Sequence, residues 1–246
     1  MNLRGMTSAF RTLSILPFPG KDADCLSDAL PFFSVVGLVL GCIAGLAAWV
    51  IQLFSGWSAG AGTAAVLLLI LLTRGLHLDG LGDVADALGA STDRGQRLKI
   101  MKDPHCGAFA IIAIVSVIMI KAVSSIRLAE AGHFISLILP VVISRSMLVL
   151  LCASLPYARS EGGKAQNFVA NSRAWHVLSA CGIAFGISCS AGLLGVSAFL
   201  SAALLASGLR LWMRKNFGGI TGDLLGFGNE TIEAALLTFL ALFQAG

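Results

Sequence analysis

Three long stretches of this chain, Phe32 to Phe54, Ala59 to Leu72 and Ala174 to Leu209, contain no Asp, Glu, Lys or Arg. Apolar runs of about 20 residues match the thickness of a bilayer core. The rest of the chain is not rich enough in charge to offset them. Charged residues make up 12% of the whole, against roughly 25% in a soluble domain. The expected fold is therefore all-α: a polytopic integral membrane bundle of about seven transmembrane helices. Residues 1–246 form a single membrane-embedded domain, and residues 1–30 form an interfacial, cytoplasmic lead-in. Phe10, Leu13 and Leu16 recur there at helical spacing before Pro17 and Pro19, which predicts a short interfacial helix.

The spans are expected at 31–54, 61–76, 108–126, 133–155 and 231–244, with 174–212 folding as two helices around a turn between Ser190 and Gly195. With the N-terminus inside, every Lys and Arg except Lys121, Arg127 and Arg145 falls on the inner side. The positive-inside rule then predicts a cytoplasmic N-terminus and an outside C-terminus. No basic tract is long enough to suggest nucleic acid. The six cysteines show no Cys-x-x-Cys pairing and mostly lie in apolar runs, where they pack as small hydrophobes. Gly37, Gly41 and Gly45 repeat a small-xxx-small pattern that predicts close helix packing.

The inner segment after the second span reads His77-Leu-Asp-Gly-Leu-Gly-Asp-Val-Ala-Asp86. On a helix, Asp79, Asp83 and Asp86 fall on one face, within about 60° of one another. Like charges at that spacing repel, so a positive partner is expected. A hard divalent cation with substrate phosphates suits three carboxylates, because Mg²⁺ takes oxygen ligands and keeps several waters. Asp79 and Asp86 stand about 10 Å apart along such a helix, which favours two metals, or one metal and a general base. The plain alternative is a solvated acidic face, and the scarcity of charge around it argues against that.

Downstream come Arg94, Arg97, Lys99, Lys102 and Asp103, then Gly107. This basic run suits anionic lipid and suits phosphate oxygens equally well. A second cluster reads Gly218-Gly-Ile-Thr-Gly-Asp223, followed by Asn229, Glu230 and Glu233. Its glycines let backbone N–H groups approach an anion at the start of a helix. Arg145 and Lys121 lie inside predicted spans and should face the bundle interior. Arg145 is the candidate to meet substrate or a carboxylate. Arg159 lies in a polar, glycine-bearing inner loop, where contact with substrate and a plain loop role are equally open. His77 and His105 have no partner at metal-binding spacing, and no GxSxG, HExxH, Walker or Rossmann pattern occurs.

At these motifs the chain resembles the cobalamin synthase family, the adenosylcobinamide-GDP ribazoletransferases of bacteria and archaea. The resemblance rests on four segments: Leu16-Pro-Phe-Pro19; His77 to Asp86; Arg97 with Ile100-Met-Lys-Asp103 and Gly107; and Gly218 to Asp223 with Glu230. Gly82, Ala87 and Pro104-His105-Cys106 depart from the family pattern, and the last removes a basic side chain.

The resemblance implies that α-ribazole, or its 5′-phosphate, attacks adenosylcobinamide-GDP and releases GMP. It implies Mg²⁺ held by Asp79, Asp83, Asp223 and Glu230, with Asp83 and Asp86 catalytic and Asp86 the general base. Arg97, Lys102, Arg145, Arg159, Gly218, Gly219, Thr221 and Gly222 would hold substrate. The implied setting is the cytoplasmic (inner) membrane of a prokaryote, with the active site facing the cytoplasm. Self-association and docking with other cobalamin-pathway enzymes are further expectations. The rivals are a CDP-alcohol-type membrane phosphotransferase, whose Ala-Arg and second Asp motif are absent here, and a transporter for a polar solute. A transporter would hold its ionisable groups near mid-membrane, whereas most acids here are expected at the cytoplasmic margin.

Overall fold

A computed structural model describes residues 3–244. Helix α1 covers Leu3–Leu13, and a short 3₁₀ helix covers Leu26–Phe32. The long helices are α2 (Phe33–Ser55), α6 (Ala108–Glu130), α7 (Ile135–Ser154), α10 (Gly192–Phe217) and α11 (Gly222–Gln244). Between them lie α3 (Ser58–Leu72), α4 (Leu76–Ala90), α5 (Arg94–Ile100), α8 (Gln166–Ala170) and α9 (Ala174–Cys189). The chain is a multi-pass helical membrane protein, and among the described residues the one extended pairing is a parallel bridge between Tyr157 and Ile220.

Five helices, α2, α6, α7, α10 and α11, are long and apolar enough to cross a membrane. The expected second span is shorter than that. Helix α3 has 15 residues, about 22 Å at 1.5 Å per residue, and it meets α4 at a bend of 87°. The expected pair within 174–212 appears as α9 and α10, turning at Ser190–Ala191. Helix α9 has only 16 residues.

Helix α7 is the most enclosed of the five. It meets α2 along the predicted glycine face: a Cβ on Gly37 would lie 2.7 Å from the Val141 carbonyl oxygen, and one on Gly41 would lie 3.1 Å from the Ile138 backbone. No larger residue fits between these backbones, the close packing expected of small-xxx-small faces. The outer faces of α6 and α10 carry exposed Ile111, Ile112, Met119, Val123, Leu200 and Leu204, as lipid contact requires.

Helix α1 forms as its periodicity predicts and buries Phe10 and Leu13. The loop behind it is tied back by Arg4–Asp24 and Arg11–Asp22 ion pairs at 3.1 and 2.9 Å.

One expectation fails at the last span. Helix α11 begins at Gly222, not at Thr231, so Asp223, Asn229, Glu230 and Glu233 all lie on it. Charge lowers the apolarity of that segment, and the sequence pattern alone places it outside the helix. The structure admits it because cations from other segments meet the acids: Arg159 from a loop, Lys121 from α6 and Arg145 from α7.

Candidate active site

Helix α4 carries the acidic motif, and it packs against the start of α11 because both helices present glycine at the crossing. A Cβ on Gly80 would stand 2.6 Å from the Asp223 carbonyl oxygen, and one on Gly226 would stand 2.8 Å from the His77 carbonyl oxygen. This contact brings the two sequence motifs together across 140-odd residues of chain. Thr221 opens α11, its Oγ1 accepting from the Leu224 N–H at 3.2 Å, so Asp223 stands in the helix's first turn.

The carboxylates of the two motifs then divide. Asp79 is exposed, and Asp83 and Asp223 are half-buried. Asp83 feels the charges of Asp223, Asp79 and Asp86, and Arg159 supplies the offsetting positive charge. Arg159 pairs with Asp223 at 2.7 Å. It reaches that position because the loop it sits on is pinned to the start of α11. Ala158 N–H donates to the Ile220 carbonyl, and Ile220 N–H donates to the Pro156 carbonyl, each at 2.9 Å. Gly219 permits that pairing, since a side chain there would collide with the Pro156 carbonyl.

Asp86 differs from the other acids on α4. Its oxygens accept the N–H groups of Gly107 at 2.6 Å and Ala110 at 2.9 Å, so it caps the N-terminus of α6. Asp83 and Asp86 line one wall of a pocket of about 370 Å³ that Asp103, His105 and Phe109 complete. The His105 backbone N–H and ring both hydrogen-bond to Asp103, which holds that exposed carboxyl below the usual carboxylate range. Sequence spacing singles out neither His105 nor Phe109, since no motif marks them.

Several predicted substrate residues are engaged elsewhere. Arg97 is buried: its Nε donates to the Ser91 carbonyl at 2.7 Å and its Nη1 to Asn216 at 3.0 Å, with Phe217 beneath the guanidinium. It joins α5 to the end of α10. Lys102 pairs with Glu161 on the surface, and Lys102 holds the Glu161 carboxyl below its ordinary range. Gly218 ends α10 in the left-handed conformation at φ 83°, and Gly222 is exposed beside Ala165.

Arg145 and Glu230 are not at this site. Both are buried, in a network of four charges. Lys121 donates to Glu230 at 2.9 Å and meets Glu233 at 2.5 Å, while Arg145 pairs with Glu233 and with Ser144. Glu230 therefore spends its charge on Lys121, and Arg145 meets a carboxylate of its own chain. Burial without partners would be costly at membrane depth, and two acids against two bases leave the cluster neutral.

Among the described residues, no three His, Cys, Asp or Glu side chains converge on one ion position. Magnesium does not require such convergence, because one or two carboxylates suffice when substrate phosphates and water complete the shell. The surplus of acid over base at Asp79, Asp83 and Asp223 fits that mode of binding.

The chain matches the family described as Cobalamin-5-phosphate synthase over residues 5–241. It belongs to that family. A protein of Chlorobium phaeobacteroides (strain BS1) named adenosylcobinamide-GDP ribazoletransferase is 38% identical over 251 residues, covering 98% of this chain and 99% of its own. Proteins of the same name from Chlorobaculum parvum and Syntrophobacter fumaroxidans are 40% and 38% identical, covering 99% and 96% of this chain and 97% of their own length in each case. No solved structure matches. Membership in the cobalamin-5-phosphate synthase family sets aside the CDP-alcohol and transporter readings.

Proposed function

We propose that this chain is an adenosylcobinamide-GDP ribazoletransferase. It joins adenosylcobinamide-GDP to α-ribazole, or to α-ribazole 5′-phosphate, and releases GMP, the step that completes the nucleotide loop of cobalamin. One observation besides family membership carries the reading. Asp79, Asp83 and Asp223 gather at the α4–α11 crossing with Arg159 as their counter-charge, a surplus of acid that suits a cation-bridged pyrophosphate.

Attack on a phosphoanhydride needs charge neutralisation and in-line placement more than covalent help. A ribose hydroxyl of the acceptor forms a new P–O bond to the phosphorus carried by the cobinamide. The anhydride P–O bond breaks, and its electron pair leaves with GMP. Mg²⁺, held by Asp79 and Asp223 with Asp83 beside them, would neutralise the pyrophosphate charge. Asp83 takes the hydroxyl proton. The general-base role passes to it from Asp86, because both oxygens of Asp86 already accept backbone N–H groups at the start of α6. Asp86 instead holds α4 on the end of α6. Arg159, paired with Asp223, stands where it can turn to a phosphate oxygen. The site faces the cytoplasm, where both substrates are polar solutes.

The test is turnover by purified protein in liposomes, given adenosylcobinamide-GDP, α-ribazole and Mg²⁺, with and without EDTA. The expected result is equal amounts of GMP and cobalamin, abolished by EDTA and restored by excess Mg²⁺. Folded protein that releases no GMP with any divalent ion overturns the reading.

A further inference from the structure

A second cavity, of about 500 Å³, opens where α3 breaks into α4. Its walls come from two distant segments. The stretch Leu16 to Pro19 supplies an apolar side, and Arg74 stands at the corner between the two helices. The Ile15 N–H donates to the Leu72 carbonyl at 2.8 Å, which lashes the first segment across the end of α3. Phe18 is held by stacking on Phe10, with ring centroids 4.6 Å apart.

The two arginines of this cavity are not alike. Arg11 is occupied, donating to Asp22 and to the Gly20 carbonyl, each at 2.9 Å. The Arg74 side chain has no hydrogen bond or ion pair among the described residues. Its backbone is also unusual: φ is 55°, a left-handed conformation that only Arg74 adopts among the described non-glycine residues. An L-residue there is sterically strained. Strain held at a corner that presents an unpaired cation to a cavity is the kind of feature found at ligand sites. The size lies within the range of small-molecule pockets. An apolar wall and a guanidinium without a partner among the described residues, lining one cavity, suit a flat hydrophobic group that also bears an anion, phosphate above all.

The cavity adjoins the acidic helix. The Asp79 N–H donates to the Gly75 carbonyl at 2.9 Å, so the first carboxylate lies one helical turn beyond the Arg74 corner. Resting on the reaction proposed above, we infer that this cavity is the acceptor subsite: the aromatic base of α-ribazole packs on Leu16 to Pro19, and Arg74 takes the phosphate of the 5′-phosphorylated acceptor. A phosphate on a lipid headgroup has the same local chemistry, and the experiment separates the two.

The intact chain is reconstituted in phosphatidylcholine vesicles, and equilibrium binding of α-ribazole and of α-ribazole 5′-phosphate is measured without the second substrate. Arg74→Gly keeps the left-handed corner and removes the cation. It should weaken the phosphorylated acceptor by about tenfold or more, and the free nucleoside by less than about twofold, the asymmetry expected of one charge-assisted contact. Phe18→Ala should weaken both forms alike, and neither variant should move the KM for adenosylcobinamide-GDP. An unchanged affinity ratio in Arg74→Gly overturns the proposal. So does an effect of Arg74→Gly that appears only when phosphatidylglycerol is added, which would assign the cavity to lipid. Wild-type protein that binds the acceptor but makes no cobalamin would overturn the reaction and leave the subsite standing.

Discussion

Asp223 and Glu230 lie on one helix, seven residues apart, yet their surroundings are opposite. Asp223 is 23% exposed at the start of α11 and shares Arg159 with a group of neighbouring acids. Glu230 is buried and bound to Lys121, in a cluster where Glu233 and Arg145 complete an even balance of charge. The buried group must balance, because hydrocarbon does not screen and an unpaired ion there is costly. The marginal group carries net negative charge, and water and a bound cation can offset it. Charge balance therefore separates scaffold from site more sharply than residue type does.

The largest effect should come from breaking the marginal group. Asp83→Asn keeps the shape of the side chain and removes the proposed base. Cobalamin formation should fall by about a hundredfold or more, the usual worth of a positioned base, while thermal unfolding in detergent stays where it is for wild type. A variant that keeps its turnover would remove Asp83 from the chemistry and dissolve the distinction between the marginal and the buried group.

Breaking the buried group should do the reverse. Glu233→Gln leaves Arg145 and part of Lys121 uncompensated inside the bundle, and removing one partner of such a set costs about 3–5 kcal/mol. The expected outcome is a large drop in unfolding temperature, with activity per folded molecule retained. Lost turnover at unchanged stability would place Glu233 in the chemistry instead.

The split between these groups explains what could be read from the chain. The acidic face of α4, the turn at Ser190 and the glycine face of α2 follow from spacing, because each depends on neighbours a few residues away. The start of α11 does not. Asp223, Asn229, Glu230 and Glu233 interrupt the apolar run, and Lys121 and Arg145, the partners of the two glutamates, lie 88 or more residues earlier in the chain. The sequence carried a signal all the same: two bases inside predicted spans require two acids at the same depth. Arg97 was unreadable for another reason. Its partners Asn216 and Phe217 belong to no motif, so a basic residue near acids resembled a phosphate ligand.

The contact that joins the two motifs can be tested between these extremes. Gly80→Ala would set a methyl group 2.6 Å from the Asp223 carbonyl oxygen, backbone that cannot swing aside. Overpacking of this kind costs about 1–3 kcal/mol, and the separation of α4 from α11 should lower both stability and turnover. A variant that loses only stability would show that the exact spacing of Asp83 and Asp223 matters less than their presence.

The smallest effect is expected at Lys102. Its pair with Glu161 is exposed on both sides, at 43% and 72%, and ion pairs in water contribute little because solvent and salt screen them. Lys102→Ala should leave the unfolding temperature unchanged. It should raise the KM for adenosylcobinamide-GDP by less than about threefold at low ionic strength and not at all at high salt, as a surface charge acting at a distance would. A rise that persists at high salt would mean a direct contact with the pyrophosphate. Lys102 would then have left Glu161 for the substrate and joined Arg159 as a second positive charge at the site.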